Sequence, residues 1–281
     1  MKRFKKMAAI VAVAFLIAST GAFAWDWPWN QKDENKLSIQ GSTTVLPIAQ
    51  KAAEDFMKDN SGVEISVRGG GSGVGIAALV DGAVDIGDAS RPIKTKEIIA
   101  AKQKGINPVG NVVAKDGIAV VVNPLNPIKE ISIDKLQAIY AGEIKKWSEL
   151  GGSSDPIVVV SRDSSSGTFE VFNELVLKGS KLRDDAIMTV SNREVAETIK
   201  NTKGAIGYIG LAFLSSSVKP LDVEGVKPSN ATVVSGAYKL ARPLFMYTNG
   251  EPSGLAKQFI DFVMSPAGQK IVNEVGYVPV K

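Results

Sequence analysis

Short apolar runs alternate with amphipathic segments along most of this chain. In the stretch 47–60, Ile48 and Phe56 fall on one helical face, and the apolar runs at 37–40 and 63–67 on either side fit strands. The same β-α-β-α order continues toward the C-terminus. Such an order is typical of a largely parallel sheet covered by helices, so the chain is expected to have an α/β fold.

The alternation is interrupted after two predicted strands at 109–114 and 117–122. Asn123-Pro124 and Asn126-Pro127 follow, as expected where a chain leaves one structural unit for another. A second set of strands and helices then begins. We predict two lobes, each a mixed, mainly parallel sheet flanked by helices, with a ligand in the cleft between them. Lobe 1 comprises residues 37–122 plus about 235–281, and lobe 2 comprises residues 123–234.

The N-terminus has the pattern of a secretory signal peptide. A basic start with Lys2 and Arg3 precedes the apolar run 7–18, and Ala22-Phe23-Ala24 offers a cleavage site. The run is too short to span a bilayer. No Cys follows it for lipid attachment, so cleavage after residue 24 predicts a free periplasmic protein. The polar, Trp-containing segment 25–36 is then expected to be a flexible N-terminus.

Removal of this segment changes the charge balance. The chain has 33 Lys+Arg and 29 Asp+Glu, and residues 1–24 hold four basic residues and no acidic one, which leaves 29 of each. A neutral protein of this kind is not expected to bind nucleic acid. The absence of His and Cys excludes Ser-His-Asp triads, His-ligated zinc and thiolate sites. We therefore expect no metal, no cofactor and no enzymatic activity. The protein is also expected to be a monomer.

Three turns rich in glycine and hydroxyl side chains each follow a predicted strand and open a predicted helix. They are Gly41-Ser42-Thr43-Thr44, Gly69 to Gly73, and Ser164 to Thr168. The first N–H groups of a helix lack partners and its dipole end is positive, so such turns can bind anions. Simple N-capping is the alternative for any one of them. Three at one sheet edge favour an oxyanion cradle.

Two arginines lie beside these turns. Arg162 ends a predicted strand four residues before Ser166, and a planar guanidinium suits bidentate contact with an oxyanion. The adjacent Asp163 could hold it in place. Arg91 follows another strand, and for both arginines the alternative is a surface ion pair.

Several segments, in this order, resemble the phosphate-binding proteins of bacterial phosphate ABC transporters, which are type II periplasmic binding proteins. They are Gly41-Ser42-Thr43-Thr44, Gly71-Ser72-Gly73, Asp85-Ile86-Gly87 with Ala89-Ser90-Arg91-Pro92, Asp116-Gly117-Ile118-Ala119, and Arg162 with Ser166-Gly167-Thr168. The resemblance implies a two-lobed protein that closes on dehydrated phosphate and delivers it to membrane permease subunits. The predicted phosphate site comprises Ser42, Thr43, Thr44, Ser72, Ser90, Arg91, Arg162, Ser166, Gly167 and Thr168.

One position departs from well-known members of that family. They carry an Asp that accepts the proton of phosphate and thereby rejects sulfate, and Ser90 stands at the aligned position here. Asp88, Asp163, a hydroxyl or a backbone carbonyl could accept the proton instead. Binding of another oxyanion such as sulfate or molybdate, or a secreted phosphatase-like activity, therefore stay open as alternatives. Ser132-Ile133-Asp134-Lys135 matches the S-x-x-K pattern of acyltransferases, but it lacks the companion motifs, and Ser132 fits a helix cap.

Overall fold

The computed structural model of the protein describes residues 34–281. The predicted signal peptide at 1–24 lies outside the described residues, as does most of the N-terminal segment predicted to be flexible. Of that segment, residues 34 and 35 form a turn and Lys36 begins the first strand. No helix within 34–281 is long and apolar enough to cross a membrane.

Strands and helices alternate as the apolar pattern predicts. The strands within 34–281 are β1 (Lys36–Gly41), β2 (Glu64–Arg68), β3 (Ile86–Ala89), β4 (Pro108–Val122), β5 (Glu130–Ile131), β6 (Val158–Arg162), β7 (Ile187–Thr189), β8 (Ala205–Gly210), β9 (Lys219–Pro220), β10 (Asp222–Val223) and β11 (Ala241–Asn249). The helices there are α1 (Leu46–Asp59), α2 (Ser72–Val80), α3 (Thr95–Gln103), α4 (Ile133–Ala141), α5 (Gly167–Phe172), α6 (Asn192–Asn201), α7 (Asn230–Val234), α8 (Gly254–Met264) and α9 (Pro266–Glu274). The strands predicted at 37–40 and 63–67 and the helix at 47–60 are confirmed with small shifts at their ends.

The sheet is mixed. Its strand order is β2-β1-β3-β11-β4-β8-β6-β7, with β9 also pairing with β4, while β5 and β10 pair separately. β1 pairs in parallel with β2 and β3, and β6 pairs in parallel with β7 and β8. The carboxyl ends of β1, β2 and β3 therefore meet at one edge.

The two strands predicted at 109–114 and 117–122 are one strand, β4. The polar stretch between them suggested a break in the strand. It instead continues the pairing of β4 with β11, because Lys115, Asp116 and Gly117 pair with residues of β11. The first part of β4 pairs with β11 and the second part with β8. The prediction of two strands was wrong because Asp116, which looks like a surface residue in the sequence, is fully buried.

Buried apolar side chains form separate cores on either side of this polar stretch. One side gathers residues between 37 and 114 and between 244 and 277, in two clusters. The other gathers residues between 118 and 240, together with Val278. The protein is thus a two-lobed α/β fold, as predicted from the sequence. The polypeptide chain passes from one lobe to the other along β4 and returns at the start of β11.

Candidate functional site

The three hydroxyl-rich turns are brought together from the two lobes. β1 and β2 end at the first two turns, and β6 of the other lobe ends at the third. The Gly73 N–H donates to the Ser165 carbonyl at 2.9 Å, and the Ser165 hydroxyl donates to the Gly70 carbonyl at 3.1 Å. The hydroxyl oxygens of Thr44 and Thr168 lie 3.3 Å apart. The lobes are therefore in direct contact where the sequence predicts the anion cradle.

Two glycines make this approach possible. A Cβ on Gly167 would lie 2.3 Å from the Ser72 hydroxyl oxygen, and one on Gly71 would lie 2.4 Å from that of Ser165. Gly71 also has a φ of +98°, which side-chain-bearing residues rarely adopt. A residue other than glycine at either position would hold the turns apart.

The predicted site hydroxyls brace the turns, and that of Ser166 also caps helix α5. The Ser166 hydroxyl accepts from the Phe169 N–H at 3.2 Å, and the Ser42 hydroxyl accepts from the Thr44 N–H at 3.1 Å. The Ser72 hydroxyl accepts from the Ser90 N–H at 2.9 Å and lies 3.3 Å from the Ser90 hydroxyl. All four side chains are buried, so their capping and pairing fix the shape of the turns.

Arg162 lies at the centre of these turns and is only 1 % exposed. Its Nε donates to the Thr189 carbonyl at 3.3 Å, and its Nη2 donates to the Val190 carbonyl at 2.9 Å and to the Thr43 hydroxyl at 3.3 Å. Its Nη1 is buried and has no hydrogen-bond partner within residues 34–281. An unpaired buried donor of a cation is costly, and an oxyanion would satisfy it.

The electrostatics at Arg162 also favour an anion. Burial lowers the pKa of its guanidinium and the positive charge of Arg242 adds to this, while Tyr208 and Asp163 oppose it. Asp163 acts on Arg162 only through its charge and makes no hydrogen bond to it, unlike the contact expected from the sequence. Its carboxylate accepts instead from the Ser165 N–H at 2.8 Å and from the Ser165 hydroxyl at 2.5 Å. Asp163 therefore shapes the third turn.

Arg91 lies in an ion-pair cluster. Its Nη1 and Nη2 donate to the two carboxylate oxygens of Glu97 at 2.8 and 2.7 Å, and its Nε lies 2.5 Å from the Glu170 carboxylate. Lys94 pairs with the same Glu170 carboxylate at 2.7 Å. Glu170 is on α5 in the second lobe, whereas the other three residues belong to the first. The Arg91 guanidinium is thus bound by carboxylates, and its contact with Glu170 joins the two lobes.

Three fully or nearly buried residues that sequence reasoning did not assign to the site complete its surroundings. Arg242 Nη2 donates to the Thr44 hydroxyl at 3.2 Å and to the Asp116 carboxylate at 3.1 Å. Asn192 Nδ2 donates to the hydroxyl of Thr44 at 3.1 Å. No local pattern marks Asp116 or Asn192 as a site residue, since their partners Arg242 and Thr44 are 126 and 148 positions away in sequence. Only Asp116 lay in a segment that carries the family resemblance.

Asp88, one of the candidates to accept the phosphate proton, is a buried carboxyl that lacks a hydrogen-bond partner within residues 34–281 on one of its oxygens. Its Oδ1 has no hydrogen-bond partner within the described residues, and burial raises its pKa well above the usual value. The folded protein therefore retains a proton on Asp88 at pH values where the unfolded chain, with a pKa of about 3.9, has lost it. The contribution of Asp88 to stability therefore falls as pH rises above about 4, until its folded-state pKa is reached.

We expect Asp88→Asn to raise the free energy of unfolding at pH 7 by about 1 kcal/mol or more, because the amide cannot ionise. The gain should vanish near pH 3, where both states of the wild-type carboxyl are protonated. Urea unfolding at both pH values measures this. Asp59→Asn, at an exposed position at the end of α1, should change stability by less than about 0.5 kcal/mol. A gain that is equal at pH 3 and pH 7 would contradict the assignment.

Comparison with known proteins places the chain in a family. Residues 29–267 match the model of the PBP superfamily domain. The phosphate-binding protein PstS of Bacillus subtilis is 38 % identical over 280 residues, which cover 98 % of this chain and 92 % of that protein. A candidate phosphate ABC transporter substrate-binding protein from Clostridium perfringens, solved with bound phosphate, superposes with a TM-score of 0.81 at 36 % identity, covering 88 % of this chain and all of that one. An ABC-type phosphate transport receptor from Vibrio cholerae superposes with a TM-score of 0.72 at 29 % identity, covering 86 % and 99 %. The chain belongs to the PBP superfamily, among the relatives of the phosphate-binding protein PstS.

Proposed function

We propose that this protein is an exported solute-binding protein that captures inorganic phosphate in the cleft between its lobes and delivers it to the permease subunits of an ABC transporter. The observation that carries the proposal is the buried Arg162 guanidinium, whose Nη1 is unpaired within residues 34–281 and which lies among three hydroxyl-rich turns. The names of the relatives support phosphate as the anion and transport as the role.

The proposed ligand-binding set follows from the contacts. Arg162 and the hydroxyls of Thr43, Thr44 and Thr168 face one another across the cleft, and the Ser72–Ser90 pair lies against Gly167. Ser42 braces the first turn, and Ser166 caps helix α5 at the third. Arg91 joins the lobes through Glu170 in this proposal, and it is not a direct ligand. The proposed binding is local, since the net charge after residue 24 is zero.

Calorimetric titration of the purified protein with phosphate, sulfate, arsenate and molybdate across pH tests the proposal. Phosphate should bind tightly, arsenate should compete because of its similar shape and charge, and sulfate should bind far more weakly. Tight sulfate binding without a preference for phosphate would overturn the phosphate assignment. Turnover of generic phosphate esters above background would overturn the assignment as a binding protein.

The Glu170 cluster makes a separate prediction about closure. We expect Glu170→Gln to weaken phosphate binding by about 3- to 10-fold, because it removes ion pairs that join the two lobes around the cleft. The affected side chains are mostly buried: Arg91 is 4 % and Glu170 15 % exposed. Titration calorimetry measures the change, with Glu174→Gln, an exposed glutamate one turn further on, as the control. Equal affinities for the two variants would show that the cluster does not stabilise closure.

A further inference from the structure

Thr43 and Thr44 each receive hydrogen bonds from two donors at their hydroxyl oxygens. Thr43 Oγ1 lies 3.3 Å from Arg162 Nη2 and 3.4 Å from Asn192 Nδ2. Thr44 Oγ1 lies 3.2 Å from Arg242 Nη2 and 3.1 Å from Asn192 Nδ2. A hydroxyl oxygen has two lone pairs and one proton, so both lone pairs of each threonine are occupied. Each hydroxyl can then act only as a donor on its remaining side.

Asn192 is common to both sets of contacts, and its orientation is fixed. Its Oδ1 accepts from the Gly210 N–H at 3.2 Å, which turns Nδ2 and its two protons toward the threonines. The side chain is completely buried at the start of α6, where Ser191 caps the helix. The Leu211 N–H holds the neighbouring Asp116 carboxylate at 3.1 Å, and that carboxylate pairs with Arg242. The same stretch of backbone therefore anchors both Asn192 and the Arg242–Asp116 pair.

We propose that Asn192, acting with Arg242, is a positioning residue that sets the direction of the Thr43 and Thr44 hydroxyls and thereby the specificity of the anion site. This inference rests on the proposed function and concerns how the site recognises its ligand. With their lone pairs filled, the two hydroxyls can only donate: Thr43 presents its proton to the cleft beside the unpaired Nη1 of Arg162, and Thr44 turns its proton toward the Thr168 hydroxyl 3.3 Å away. This side of the site therefore recognises oxygens that carry negative charge and no proton.

A protonated oxygen of the anion is excluded from this side, because its O–H would meet only donors. The Ser72–Ser90 hydroxyl pair lies elsewhere around the cradle, and neither hydroxyl is bonded to Asn192 or Arg242. A hydrogen phosphate ion is accordingly bound with its unprotonated oxygens toward Thr43 and Arg162. Asn192 controls this orientation without being a ligand itself.

Asn192→Asp tests the inference, because the side chain keeps its shape but presents acceptors in place of the two donors. The Thr43 proton then turns toward the introduced carboxylate, and a Thr43 lone pair faces the anion. We expect phosphate affinity, measured by titration calorimetry at pH 8, to fall at least about 100-fold. Asn192→Ala adds no charge and leaves the hydroxyls free to rotate. It should lower affinity by about 10-fold, which corresponds to the free energy of roughly one hydrogen bond.

The pH dependence separates positioning from a purely structural effect. As pH falls and the introduced carboxyl takes up a proton, it regains a donor, so the affinity ratio of wild type to Asn192→Asp should shrink. Asn123→Asp is the matched control: Asn123 is also buried and donates to the carbonyls of Ile199 and Lys200, away from the site. It should affect thermal stability but leave phosphate affinity within about twofold.

The outcomes distinguish the two proposals. A folded wild-type protein that binds no phosphate overturns the proposed function, and this inference with it. A wild-type protein that binds phosphate, together with an Asn192→Asp variant of equal affinity, overturns the inference alone. A loss of affinity in Asn192→Asp that is the same at every pH and is matched by Asn123→Asp also overturns it, since a general loss of structure would then explain both.

Discussion

Arg162→Ala should abolish measurable phosphate binding while leaving the protein folded. Its Nη1 is a buried donor without a partner within residues 34–281, and its Nη2 orients Thr43. A hydrogen bond to a charged group contributes about 1.5–3 kcal/mol, and the loss of several such contacts with the guanidinium should weaken binding by more than about 100-fold. Titration calorimetry measures the affinity, and circular dichroism measures the fold.

A second arginine serves as the control for this prediction. Arg193 lies in α6 next to Asn192 but is exposed. Arg193→Ala removes the same charge from the same lobe and should change phosphate affinity by less than about threefold at physiological salt, since exposed charges are screened. If both variants bind phosphate as well as the wild type, Arg162 does not belong to the binding site.

Asp116→Asn should lower the free energy of unfolding by about 3–5 kcal/mol, the usual cost of leaving one member of a buried ion pair unpaired. The Arg242 and Asp116 side chains are 1 % and 0 % exposed, and Arg242 Nε and Nη1 already lack partners within the described residues. Burial raises the pKa of Asp116, and Arg242 opposes that rise. Removal of the carboxylate therefore leaves the buried Arg242 cation without its ion-pair partner.

Urea unfolding at pH 7 measures this effect. The double variant Asp116→Asn with Arg242→Met removes both charges and should recover a large part of the lost stability, because two apolar or neutral groups do not strand a charge. If the double variant is less stable than Asp116→Asn alone, Arg242 is not the source of the loss. Phosphate affinity of the double variant should still fall, since Thr44 loses one of its two donors.

Local sequence pattern predicted the order of most elements and the three turns of the site. The apolar spacing in 47–60 and the hydroxyl-rich turns both act within a few residues, so a single sequence is enough to read them. Short strands such as β7, with three residues, carry too little pattern to be predicted. β4 was divided in two because a buried Asp looks like a surface residue until its partner is known.

Contacts between distant residues account for the rest of what was missed. Arg242 and Asp116 are 126 positions apart, and nothing near either residue indicates the other. The pairing of Arg91 with Glu170, far along the chain on α5, could likewise not be predicted from the residues around Arg91. Asn192 has no local signal beyond its position at the start of a helix. Such long-range contacts depend on the order in which the strands lie in the sheet. The alternation of apolar runs along the sequence indicates the elements but not that order.

The continuity of β4 has a consequence for how such a protein can be divided or recombined. Side chains alternate between the two faces of a strand, so the register of the first core carries over into the second through Lys115, Asp116 and Gly117. A single-residue insertion there would turn Ile118 to Val122 away from their packing partners. The two lobes are therefore not independent modules. Neither can be removed, replaced by that of a homologue or lengthened at this junction without disturbing the packing of the other. A change in the length of β4 here requires matching changes in both cores.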